Sequence, residues 1–131
     1  VDFWVDRSGV CRSAIPRKRL EVRAGEVSKA VTARRDELLE TTFAVARALP
    51  EPFGVLNVQM FLDPDSGRVA IIEVNPRFGG GYPLAWEAGA RYAEWLMRDL
   101  LELPIDAAPM GWRDGLVMLR YDAAVFFEER P

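Results

Sequence analysis

Residues 54–78 read GVLNVQMFL (54–62), DPDSG (63–67) and RVAIIEVNPRF (68–78). The two outer runs are rich in β-branched and aromatic residues, which favour strands. The middle run consists of residues that are typical of turns. The segment therefore predicts a β-hairpin, and its side chains can be assigned to two faces.

Pairing Leu62 with Arg68 sets the register of this hairpin and places Asn57 opposite Glu73, because side chains alternate between the faces of a strand. No bulge is needed to keep the apolar residues together. One face then carries Leu56, Val58, Met60, Leu62, Ala70, Ile72 and Val74. The other face carries Asn57, Gln59, Glu73, Asn75 and Arg77 at the end away from the turn.

The polar face has the composition of a magnesium–phosphate site. Carboxylate and amide oxygens are ligands that Mg²⁺ prefers, and the ion is usually shared with substrate phosphates. We expect Glu73 to be the main metal ligand, with Gln59 and Asn75 supplying amide oxygens and Arg77 binding a phosphate. A solvated outer face with cross-strand hydrogen bonds explains the same pattern, which by itself favours neither interpretation.

Composition narrows the class of protein. The chain has 131 residues, of which 50% are hydrophobic and 28% charged, and this predicts one ordered domain. A net charge of −3 without a basic stripe argues against nucleic-acid binding. The absence of histidine excludes histidine-based catalysis. No apolar stretch is long enough to span a membrane, and the single Cys11 suits a reducing cytoplasm.

The rest of the chain predicts an α+β fold, with a mainly antiparallel sheet and two principal helices packed on one face. Because the first residues read as a strand already under way, we expect residues 1–131 to be a single domain that forms the C-terminal part of a larger one. The expected elements are a first hairpin over 1–15, a loop or irregular strand over 17–28, helices over 32–49 and 83–101, and terminal strands over 116–121 and 124–127.

Two further groups have both a functional and a structural explanation. Gly79, Gly80 and Gly81 connect a strand to a helix, where free backbone amides could hold an anion. A flexible turn explains these glycines equally well. The charged cluster Arg17–Arg19 could reach phosphates, although such side chains are more often solvated.

These motifs resemble the ATP-grasp superfamily, and within it the large-subunit type of carbamoyl-phosphate synthetase. The resemblance covers residues 1–103 and rests on Asn57-Val-Gln59, on Ile72-Glu-Val-Asn-Pro-Arg-Phe78 and on the glycine-rich turn. Weaker matches are Arg23-Ala-Gly-Glu26 and Ala88-Gly-Ala90.

The resemblance implies a ligase-type reaction in which ATP, with Mg²⁺ or Mn²⁺, phosphorylates a small carboxylate to an acylphosphate that a nucleophile then attacks. By position, Gln59, Glu73 and Asn75 resemble metal ligands, and Arg77 resembles the residue that stabilises the transferred phosphoryl group. Asn57, Arg77, Gly80 and Gly81 fall in the nucleotide-binding positions.

The resemblance also implies that residues 1–131 are only part of an ATP-grasp enzyme. A complete ATP-grasp enzyme has an upstream domain and a small subdomain that contribute the adenine pocket and phosphate-binding cations. We therefore expect missing N-terminal segments or a partner chain to complete the site, and this fragment to be inactive alone. A homodimer and a non-catalytic nucleotide-binding or interaction module remain open alternatives.

Overall fold

The computed structural model describes residues 1–105, 109–121 and 123–128. Its elements confirm the α+β class. In chain order they are β1 (Asp2–Val5), β2 (Cys11–Ile15), β3 (Arg17–Arg23), β4 (Glu26–Thr32), α1 (Asp36–Ala48), β5 (Gly54–Leu62), β6 (Val69–Asn75), α2 (Tyr82–Ala88), α3 (Tyr92–Leu100) and β7 (Val117–Leu119).

The larger sheet has four antiparallel strands in the order β2-β1-β5-β6. Its interior includes Phe3, Val5, Ala14 and Val58, whose side chains are fully buried. Helix α1 packs on β2, β5 and β6, and α3 packs on β1 and β5. Burial of this apolar surface is the main stabilising contribution to the fold.

The smaller sheet was not expected. Residues 17–28, predicted to be a loop or irregular strand, form most of the hairpin β3–β4, and β7 pairs with β4 to give the order β3-β4-β7. The prediction of a strand within 116–121 is confirmed. The second terminal strand is wrong, because 124–127 forms no strand and Val125 and Phe126 are exposed.

The helices also differ from the prediction. Helix α1 begins at Asp36 because Thr32 is still paired with Arg17 in the smaller sheet. The predicted helix over 83–101 is two helices, separated where Gly89 adopts a φ of 109°. Within the described residues, three helices and two sheets therefore replace the expected two helices and one sheet, with α2 packed on β4.

The central hairpin forms with a different register. Asn57 lies opposite Asn75 and Gln59 opposite Glu73, so the predicted pairing of Asn57 with Glu73 is wrong by two residues. The register shifts after Gln59, which leaves Ile72 as the extra residue of a β-bulge. A bulge was not expected, and it leaves Ile72 48% exposed.

None of the helices in the described parts of the chain is both long enough and apolar enough to cross a membrane.

Candidate functional site

The three predicted metal ligands are joined by hydrogen bonds at one atom of Glu73. Glu73 Oε1 accepts a hydrogen bond from Gln59 Nε2 at 2.5 Å and another from Asn75 Nδ2 at 2.9 Å. Gln59 is the cross-strand partner of Glu73, and the bulge at Ile72 directly precedes the acid. Bulges often occur beside functional sites because they redirect a side chain. The structure therefore gathers one carboxylate and two carboxamides as the sequence predicts, by a different register.

These groups are accessible to a ligand. Glu73 is exposed, and Gln59 and Asn75 are partly buried. Their donor set fits Mg²⁺, which accepts carboxylate and amide oxygens and keeps several water or phosphate oxygens. Within 1–105, 109–121 and 123–128 there is no cluster of three or more cysteine, aspartate or glutamate side chains. A magnesium ion held here would therefore have Glu73 as its one carboxylate ligand and would depend for the rest on the amides and on ligand phosphates.

Gln59 also connects the two sheets. Its Oε1 accepts a hydrogen bond from Arg19 Nη2 at 3.0 Å. Arg19 belongs to β3 of the smaller sheet, whereas Gln59 belongs to β5 of the larger one. To bind a metal through its oxygen, Gln59 would have to exchange this hydrogen bond for the ion.

A cleft of about 180 Å³ opens beside the cluster, between the β3–β4 hairpin, β5 and the residues that follow β6. Arg19 and Arg77 line it, Gly79–Gly81 forms another side, and Arg17 also lies in the lining, although its side chain is only 7% exposed and its guanidinium is paired with Asp2. Arg77 is exposed and donates a hydrogen bond to the Phe78 carbonyl at 3.0 Å. Guanidinium groups bind phosphate oxygens well, so this wall suits an anionic ligand.

Asn57 occupies a different environment from the other predicted site residues. It is 6% exposed, and its Nδ2 donates to Asp2 Oδ1 at 2.6 Å. Its amide group therefore has a protein partner in the floor of the cleft. Its role in nucleotide binding stays a prediction.

Sequence reasoning missed the ion pair beneath the cleft. Asp2 is fully buried and accepts hydrogen bonds from Arg17 Nε at 3.0 Å and Nη2 at 3.1 Å. The sequence held only part of the signal, because an aspartate directly before the apolar run Phe3–Val5 needs a partner if that strand end is buried, and nothing local identifies the partner as Arg17. Arg17, treated as a surface or phosphate-binding cation, is that partner.

The glycine turn lies directly against this ion pair. A Cβ atom on Gly79 would lie 2.7 Å from Asp2 Oδ1 and 2.8 Å from Asn57 Nδ2, and one on Gly81 would lie 3.1 Å from Arg17 Nε. Real Cβ atoms essentially never approach other heavy atoms as closely as 2.7 or 2.8 Å. Close packing therefore explains Gly79 and Gly81, and their predicted role in holding an anion stays a prediction.

Comparison with known proteins gives a family and a fold. A family model described as "ATP-grasp in the biosynthetic pathway with Ter operon" matches residues 1–122. Among solved structures, the chain is similar to a variant of pyruvate carboxylase from Rhizobium etli, determined with the allosteric activator acetyl coenzyme A. The two share 18% identity with a TM-score of 0.63, over 88% of this chain and 13% of that one. At this identity the likeness shows the fold alone. No curated protein matches the chain.

Proposed function

The chain belongs to the ATP-grasp family of the biosynthetic pathway with Ter operon, and on this basis we propose that it supplies the metal- and phosphate-binding part of an ATP-dependent ligase. The ligase would activate a small carboxylate as an acylphosphate and then form a carbon–nitrogen bond. The observation that carries the proposal is the meeting of Gln59, Glu73 and Asn75 beside an arginine-lined cleft.

Each residue has a specific task in this reaction. Glu73, Gln59 and Asn75 would hold Mg²⁺ (or Mn²⁺), which when bound neutralises charge on the triphosphate. Arg77 would bind the oxygens of the γ-phosphoryl group as it is transferred. The carboxylate oxygen forms a bond to the γ-phosphorus as ADP leaves. The amine then attacks the acyl carbon, and inorganic phosphate departs.

The volume of the cleft beside Gln59 and Arg77 limits what can bind inside that cleft. About 180 Å³ is less than the roughly 300–1,000 Å³ of pockets that enclose whole small ligands. It has room for the phosphate end of a nucleotide, while the base and the carboxylate substrate would need further walls. We therefore propose that residues 1–131 are one domain, the C-terminal part of a larger ATP-grasp domain. Upstream segments or a partner chain would complete it.

The motif from Glu73 to Arg77 supports a finer assignment. Its order of acid, amide and arginine is the one that resembles the large subunit of carbamoyl-phosphate synthetase. We propose that this chain uses the same division of labour, with the acid and amide on the metal and Arg77 on the phosphoryl group.

The proposal is tested by Glu73→Gln in the complete protein. We expect Mg²⁺-dependent ATP turnover in the presence of carboxylates and amines to fall at least about 100-fold, because the substitution removes the only charged metal ligand of the cluster. The melting temperature should change little, since exposed side chains contribute little to stability. Glu40→Gln, an exposed acid on α1, is the matched control.

Normal turnover by Glu73→Gln would contradict the metal role. Nucleotide binding without turnover by the unsubstituted protein would instead indicate the non-catalytic module.

A further inference from the structure

The buried ion pair beneath the cleft joins the two sheets of the molecule. Asp2 and Asn57 are cross-strand partners in the larger sheet, whereas Arg17 is the first residue of β3 in the smaller sheet. Arg17 is exposed over only 7% of its side chain, although the strand it begins is otherwise mostly exposed. The pair therefore fixes one sheet to the other at the point where the chain passes between them.

The carboxylate of Asp2 is fully used by these partners. Oδ2 accepts from Arg17 Nε, and Oδ1 accepts from Arg17 Nη2 and from Asn57 Nδ2 at 2.6 Å. A two-bond contact between guanidinium and carboxylate fixes orientation as well as distance. Buried in this way, the three side chains have little freedom to move.

The glycine turn, residues 79–81, packs directly against these three side chains. Gly79 and Gly81 are buried, and a side chain at either position would collide with Asp2, Asn57 or Arg17. Neither glycine has a positive φ, so space and not backbone conformation requires them. Gly80 differs, because its Cβ would meet only the end of the Glu26 side chain, which is 62% exposed and can move.

We propose that Arg17, Asp2 and Asn57 form a positioning network, which sets the path of residues 77–82 and thereby the placement of Arg77 beside the Glu73 cluster. This inference rests on the proposed function for its catalytic consequence. The network holds the turn, and the turn sets where Arg77 lies in the lining of the cleft. Small displacements of such a group can lower turnover about 100-fold.

The test uses a cycle of variants in the complete protein. Replacing Asp2 or Arg17 alone would leave a buried unpaired charge, so both are changed together in an uncharged pair, Asp2→Asn with Arg17→Met. Gly81→Ala is made in the original protein and in the uncharged pair, and Gly80→Ala is the comparison. The readouts are kcat and KM for Mg²⁺-ATP, and amide hydrogen exchange of residues 77–82.

We expect the uncharged pair to speed exchange of these amides at least tenfold and to lower kcat about 10- to 100-fold, with KM changed less than about threefold. Gly81→Ala should act similarly and add little when combined with the uncharged pair. Gly80→Ala should perturb exchange less than Gly81→Ala.

Unchanged exchange in the uncharged pair, or equal exchange effects of the two alanine substitutions, would overturn the inference. If the unsubstituted protein shows no ATP turnover, the proposed function fails. The exchange measurement still decides whether the network positions the turn.

Discussion

Glu73 and Asp2 are both acids in strands, and the sequence predicted the polar neighbours of only one. Glu73 alternates with apolar neighbours and shares its face with Gln59 and Asn75, so periodicity predicted their meeting. Asp2 depends on Arg17 in a different sheet, and no local pattern connects the two. The face that Glu73 shares with Gln59 and Asn75 could be predicted, whereas its cross-strand partner and the pairing of Asp2 between sheets could not.

Cys11 gives a test at the residue scale. Burial raises the pKa of its thiol to about 12, so only about one molecule in 10,000 carries the reactive thiolate at pH 8. We expect alkylation by iodoacetamide to be at least about 100-fold slower in the folded protein than in the same protein unfolded in urea. Equal rates would show that Cys11 is accessible and ionised.

Elements were predictable where apolar or alternating runs lie between turn residues, and unpredictable where such runs are missing. The first hairpin and the central strands follow from their patterns. Strand β3 has the sequence RKRLEVR and is nearly all exposed, so it gave no apolar period. The bulge could not be predicted because Ile71 and Ile72 are adjacent and identical. Either isoleucine could be assigned to the face of β6 that packs on the core.

The bulge predicts different effects for two neighbouring apolar residues of β6. Val74 lies opposite fully buried Val58, whereas Ile72 is 48% exposed. Val74→Asp should destabilise the fold by about 2–4 kcal/mol, because it places a charge against the core. Ile72→Asp should cost less than about 1 kcal/mol. Urea unfolding of both variants checks this, and equal losses would support the regular register without a bulge.

The turn between β1 and β2 predicts a dependence of stability on pH. Burial acts to raise the pKa of Asp6, but hydrogen bonds from Ser8, Arg12 and the Val10 amide outweigh it and hold the pKa below its ordinary value of 3.8. Because the pKa of Asp6 is lower in the folded than in the unfolded state, its carboxylate contributes its full stabilisation at pH values above the pKa of the unfolded state. This stabilisation is lost as the pH falls through the pKa of Asp6 in the folded state.

Asp6→Asn should therefore lower the free energy of unfolding by about 1–2 kcal/mol at pH 7 and by less at pH 3. Urea titrations at both pH values measure the difference, with Asp65→Asn in an exposed turn as control. A deficit that is the same at both pH values would show that the carboxylate charge of Asp6 is not responsible.

At the scale of the whole molecule, the cleft exists because the chain passes from one sheet to the other after Ile15 and returns through β5. The α+β class followed from alternating elements, but the division into two sheets depends on contacts distant in sequence. Arg19 and Gln59, forty positions apart, meet across that division. The chain covers 13% of the pyruvate carboxylase chain that its fold resembles, and completion by further segments is part of the proposal.

Binding of Mn²⁺, followed by electron paramagnetic resonance as ATP is added to the complete protein, tests the metal–triphosphate site most directly. We expect ATP to tighten Mn²⁺ binding in the unsubstituted protein and in Glu40→Gln, because phosphate oxygens complete the ligand set. In Glu73→Gln, protein-bound Mn²⁺ should weaken at least about tenfold, the loss typical when a metal site is disturbed. Equal binding by Glu73→Gln and the unsubstituted protein would contradict a metal site at the central hairpin.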